Sequence, residues 1–242
     1  VTAAPPQAIA AEQSRPFGAP FGGDFASTNT DLWLSALFAL GLPFVCAWLF
    51  DLTGGALAPL YLYYIIACIV IVRWRKGSLD YGRPARWPWA LFGAGLALTA
   101  LITWNNWGNF ADYGATPLGL ALTAIIWAPL NGFFEQLIWL YPLDAWRNRW
   151  RSGRLRRFGR IGGAALYLIL ITLIHVVFWT RFLPVAGAHP FAWVAPILNT
   201  FLAVIYAALY YQAHSFWPTF VIHTLVDLQL VLLANYSIVG DL

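Results

Sequence analysis

The sequence predicts an all-α protein, a polytopic transmembrane helical bundle of about seven spans. Three observations carry the prediction. Of 242 residues, 60% are apolar and 10% charged, with a mean hydropathy of +0.65, whereas a soluble domain carries roughly 25% charged residues. Apolar runs of about 20 residues, long enough to cross about 30 Å of hydrocarbon, recur along the chain. The basic residues gather in two loops beside such runs, as the positive-inside rule expects of cytoplasmic loops.

Residues 1–30 are rich in Ala, Pro, Gly and Gln and read as an irregular tail. They lack a basic stretch followed by an apolar core, so no signal peptide is expected there. The transmembrane domain is expected over 31–242. Its spans are placed at about 31–50, 55–73, 88–105, 117–146, 161–182, 190–212 and 216–236. No internal repeat is apparent.

Orientation follows from the loops. The loop after the second span holds Arg73, Arg75, Lys76, Arg83 and Arg86. The loop after the fourth holds Arg147, Arg149, Arg151, Arg154, Arg156, Arg157 and Arg160. Both are expected on the cytoplasmic side, and the Arg147–Arg160 run suits acidic lipid headgroups. The loops near Asp112 and His189 are poor in basic residues and belong outside. Seven spans then leave the N-terminus inside and the C-terminus outside.

The isoelectric point near 9.2 is a topology signal, and no nucleic-acid partner is expected. Trp74, Trp87, Trp89, Trp104, Trp107 and Trp217 sit at span ends as interfacial anchors. Cys46 and Cys68 fall inside spans and read as small buried residues, with neither a disulfide framework nor a metal-type spacing.

Ionisable side chains deep in a bilayer are costly and usually mark function. Four are expected there: Glu135, His175, His223 and Asp227. Glutamate is otherwise confined to Glu12. Asn131 and Glu135 are four apart, as are His223 and Asp227, so each pair shares a helix face.

Depth provides a check. Glu135 lies 12 residues before Arg147, and His175 lies 15 after Arg160. At about 1.5 Å per residue these are about 18 and 22 Å. His223 and Asp227 lie 8 and 12 residues after Ser215, about 12 and 18 Å by the same rise. The four therefore lie at a similar depth, within one or two helical turns of each other. His189 and His214 fall at membrane edges and are read as structural.

Such a set of residues can activate a water and stabilise an oxyanion. It can bind zinc or iron. Two imidazoles at matched depth can also ligate a haem or pigment, although this leaves Glu135 unexplained. Retinal is disfavoured, because Lys76 reads as a loop residue and no span then offers a Schiff-base amine.

The order of Glu on one helix, His on the next and His-x-x-x-Asn/Asp on a later one resembles the CPBP family. These are the CAAX-prenyl-protease-like and bacteriocin-processing intramembrane glutamic endopeptidases. Their Glu-Glu-x-x-x-Arg motif reads Glu135-Gln136-Leu137-Ile138-Trp139-Leu140. Phe-x-x-x-His reads Ile171-Thr172-Leu173-Ile174-His175, and His-x-x-x-Asn reads His223-Thr224-Leu225-Val226-Asp227. The resemblance covers about 115–235 and departs from the pattern at Gln136, Leu140, Ile171 and Asp227.

The resemblance implies catalytic roles. Glu135 with His175 would activate the attacking water, and His223 with Asp227 would form the oxyanion hole. An ionised Asp227 cannot donate a hydrogen bond; it would need to be protonated or to orient His223. The resemblance further implies no cofactor and no metal, a peptide or protein substrate, and a bacterial cytoplasmic (inner) membrane among lipids. The departures motivate an alternative: an accessory or scaffold subunit of a larger membrane complex, its aromatic exterior contacting pigments or lipids.

Overall fold

In the computed structural model, residues 21–108, 110–150, 152–181 and 194–239 are described. They form eight helices, and no strand occurs among them. α1 (Asn29–Leu40) starts at a capping box. The Thr28 amide and hydroxyl both donate to Asp31 Oδ2, each at 2.7 Å, satisfying groups that a helix start leaves open. Gly41 and Pro43 then break the helix. α2 (Leu42–Thr53) leaves at 49° to α1 and ends at Gly54, whose φ of +66° suits glycine.

α3 spans Leu57–Lys76, α4 Trp89–Asn106, α5 Pro117–Arg149, α6 Gly153–Arg181, α7 Val194–Ala213 and α8 Trp217–Ala234. α3, α5, α6 and α8 are long and apolar enough to cross a membrane. The bent pair α1–α2 makes a fifth if it counts as one crossing. α4 falls outside that set, and the apolar described part of α7 is Thr200–Ala213. Of the expected seven spans, four or five are thus long apolar helices, and those matching α4 and α7 fall outside that set. The tail expected over 1–30 lies outside the described residues up to residue 20. The start of the sixth expected span and His189 also lie outside them.

α5 occupies the centre, packing against α6, α8, α1 and α3. Its inner face from Asn131 to Ala145 is almost wholly buried. The outer surface is apolar: Trp33, Leu57, Ile125 and Trp104 are all more than 70% exposed. That is the inverse of a soluble protein and suits lipid contact. Of the expected anchors, Trp74, Trp89, Trp104, Trp107 and Trp217 are exposed and Trp87 is half-buried, and both cysteines are free and buried.

Polar contacts pin the basic end. Arg75 donates to Asp31 at 2.8 and 3.0 Å, and Tyr141 donates to the same carboxylate at 2.6 Å. Lys76 requires a correction: it is not a loop residue. It ends α3 with its side chain fully buried, 2.7 Å from Asp144 Oδ2 and 3.0 Å from Asp80 Oδ2. Tyr210 donates to Asp80 at 2.7 Å and Tyr211 to Asp144 at 2.6 Å. A buried cation requires such partners. Charge counting at a span end cannot distinguish a paired buried lysine from a solvated one.

Candidate functional site

Glu135 sits mid-way along α5 and is fully buried. Its Oε1 accepts the Tyr63 hydroxyl and the Trp179 indole N–H, both at 2.9 Å. Its Oε2 accepts the Asn131 amide at 3.0 Å and lies 3.5 Å from His223 Nε2. Asn131 is one turn earlier on the same face, so the i, i+4 relation read from the sequence becomes a direct bond.

The Asn131 amide also donates to Asp227 Oδ2 at 3.0 Å, while its carbonyl accepts the Tyr64 hydroxyl at 2.6 Å. The Tyr64 bond fixes which way the amide faces. Its two hydrogens therefore go one to each carboxylate. His223 Nε2 approaches the same Asp227 oxygen at 3.7 Å. Two carboxylates thus share two nitrogen groups, one from α5 and one from α8.

The His223 ring is held between Trp139 and Tyr206, with centroids 4.8 and 5.5 Å away and both pairs 28° from parallel. Its Nδ1 is buried with no partner among the described residues. With Nε2 turned toward two acceptors, the neutral ring carries its proton there, leaving an Nδ1 lone pair.

His175 is brought near the cluster without bonding it. It is half-buried, its Nδ1 is 2.7 Å from the Ile171 carbonyl, and its ring centroid is 5.6 Å from that of Trp139. A carbonyl only accepts, so Nδ1 carries the proton and Nε2 offers a lone pair. His175, His223 and Asp227 line one cavity of about 40 Å³, with Trp139 and Tyr206 among its walls. A water needs roughly 10–15 Å³ of such volume and two or more polar partners, so the space suits one or a few.

Three stretches of π-helical winding, at Tyr61–Ile71, Thr123–Trp127 and Ile174–Phe178, lie in the helices that build the site. The first presents Tyr63 and Tyr64, the last His175. Local π-winding is frequent at functional sites.

The motif departures have places in the packing. The Gln136 amide donates to the Tyr81 hydroxyl at 2.7 Å and to the Gly132 carbonyl, so it is used away from Glu135. Leu140 is buried in the core and Ile171 forms part of the cavity wall. Among the described residues no group of three or more His, Cys, Asp or Glu is arranged to hold a metal ion. His214 stacks on Phe21 at 4.6 Å, away from the cluster.

Tyr63, Tyr64 and Trp179 are not among the residues the sequence points to. Two tyrosines in mid-span, each with a hydroxyl needing a partner, were the available signal. Comparison with family models, with curated proteins and with solved structures finds no match to this chain. Its chemistry therefore has to be read from the cluster itself.

Proposed function

We propose that the chain is an intramembrane endopeptidase of the glutamic, CPBP-like type. It cleaves a membrane-associated peptide or protein with water activated by the carboxylate–imidazole cluster. One observation carries the reading: Glu135, Asp227 and His223 converge in the bundle centre, with His175 across a water-sized cavity. Residues that merely tied neighbouring helices together would need no such cavity.

The cluster suits hydrolysis. A cavity water loses a proton to the carboxylate pair as its oxygen bonds to the carbonyl carbon. The carbonyl π pair moves to oxygen. Collapse of the tetrahedral species breaks the C–N bond, and the stored proton passes to the amine. The imidazole lone pair of His175 orients the water. The resemblance implies no cofactor for this scheme. α4 and α7 are read as crossings too, completing seven spans with the basic loops inside.

Glu135→Ala is expected to abolish cleavage while the protein still folds. The check is a mass-spectrometric comparison of membrane peptides from cells carrying wild type or Glu135→Ala at equal levels. A precursor left uncut in the mutant alone supports the reading; identical peptide profiles contradict it.

A second reading is favoured by the completeness of the Glu135 cage. Donors from three helices bond both oxygens of the carboxylate, and Gln136 and Leu140 pack inward. Such a node would also serve a non-catalytic accessory or scaffold subunit of a larger membrane complex. Co-purification of a stoichiometric partner from native membranes supports it; a lone monodisperse monomer in mild detergents contradicts it.

A further inference from the structure

The two carboxylates are not equivalent, and the difference assigns their roles. Both oxygens of Glu135 are committed, Oε1 to Tyr63 and Trp179 and Oε2 to Asn131. The side chain is 0% exposed and is not part of the cavity wall. Asp227 commits Oδ2 to Asn131, while among the described residues its Oδ1 accepts no hydrogen bond. Asp227 lines the cavity beside His175 and His223. A general base must come within hydrogen-bond reach of the proton it takes, directly or through one water.

We infer that Asp227, rather than Glu135, is the carboxylate that exchanges protons with the cavity water. This rests on the peptidase reading above. Oδ1 takes a proton from the water as its oxygen bonds to the scissile carbonyl carbon, and the carbonyl π pair goes to oxygen. When the C–N bond breaks, Asp227 returns that proton to the amine nitrogen, so water and peptide become acid and amine. Glu135 is a positioning residue. It anchors the Asn131 amide that holds Asp227 Oδ2, and it draws the His223 proton to Nε2. Aspartate at 227 is then the working group of this chain and not an impaired asparagine.

The substitution Asp227→Asn decides the matter, because it installs the residue of the resembled motif. An oxyanion donor or orienting group at 227 works as well or better as asparagine; a base does not. Positioned acid–base groups contribute about 10²–10⁴-fold to rate, so Asp227→Asn should lose at least about 100-fold by that measure. The comparison uses membranes of cells carrying wild type, Asp227→Asn, Asp227→Ala or Glu135→Ala, following the precursor by mass spectrometry. Sodium formate is then added to each membrane preparation.

The expected result is uncut precursor in all three variants, and clearance by formate in Asp227→Ala alone. Formate can replace a carboxylate beside the cavity but cannot enter the Glu135 cage, and rescue shows that the variant is folded. Normal processing by Asp227→Asn overturns the assignment and leaves the peptidase reading intact. Formate rescue of Glu135→Ala in place of Asp227→Ala reverses the two roles. No precursor in any variant overturns both the assignment and the reading.

Discussion

Asp80 lies in the loop after α3, and its carboxylate meets the Lys76 ammonium, the Tyr210 hydroxyl, Ser78 and the Gly22 amide. Burial pushes its carboxyl up. The Lys76 charge and the hydrogen bonds outweigh that, and the net effect holds it below the ordinary carboxylate value. A depressed pKa contributes stability that is fully present above the unfolded value, about 3.9 for aspartate, and is lost as pH falls through the folded value. Wild type should therefore exceed Asp80→Asn in melting temperature at neutral pH. The margin should hold down to about pH 4 and shrink below it. Melting curves of both proteins in one detergent from neutral to acidic pH check this; a margin independent of pH contradicts it.

Residue by residue, Glu135, His223 and Asp227 were legible in the sequence, because an ionisable group in hydrocarbon has few inexpensive explanations. Lys76 and Asp144 were not, because charge near a span end reads first as topology. Asn131 was half legible: its spacing from Glu135 placed it on the right face, but its bond to Asp227 depends on how α8 packs. The departures at Gln136 and Leu140 were visible, while their new partners depended on tertiary contacts.

Among the elements, the crossing of α5 and α8 sets the site. Gly132 lies one residue after Asn131, and a Cβ there would come within 2.8 Å of Thr224 Oγ1 and 3.0 Å of the Thr224 backbone nitrogen. The close approach lets His223 and Asp227 reach Asn131 and Glu135. Gly132→Ala must push α8 outward, and overpacking of this kind costs about 1–3 kcal/mol. Both a lower melting temperature and slower precursor processing are expected. An unchanged melting temperature with full processing would show that α8 tolerates the shift. Helix existence was largely legible from apolar run length. The 49° break at Gly41 was not, because the apolar run continues through it. Nor were the π-wound stretches, since side-chain period carries little trace of them.

For the whole molecule, the topology proposed from the charge asymmetry has the N-terminus and the Arg147–Arg160 stretch on the cytoplasmic side and the C-terminus outside. Single cysteines introduced at exposed Ser152 and Arg83, in a variant lacking Cys46 and Cys68, should resist an impermeant maleimide in intact cells and react after lysis. A cysteine at exposed Gly114 should react in both. The opposite pattern would invert the bundle and move the basic loops outside. Overall class was legible because composition alone separates a membrane bundle from a soluble domain. The number of crossings was less so, because α4 and α7 are shorter or less apolar than their neighbours.

The central claim is that water in the cavity beside Asp227, His175 and His223 is the nucleophile of a peptide cleavage. Its most direct test uses membranes from Glu135→Ala cells, which are expected to retain the uncut precursor, incubated with purified wild-type protein in heavy-oxygen water. The account predicts cleavage that places one heavy oxygen in the new C-terminal carboxyl group, and no cleavage when purified Glu135→Ala is added. A product without the label, or an uncut precursor with folded wild type present, would contradict it.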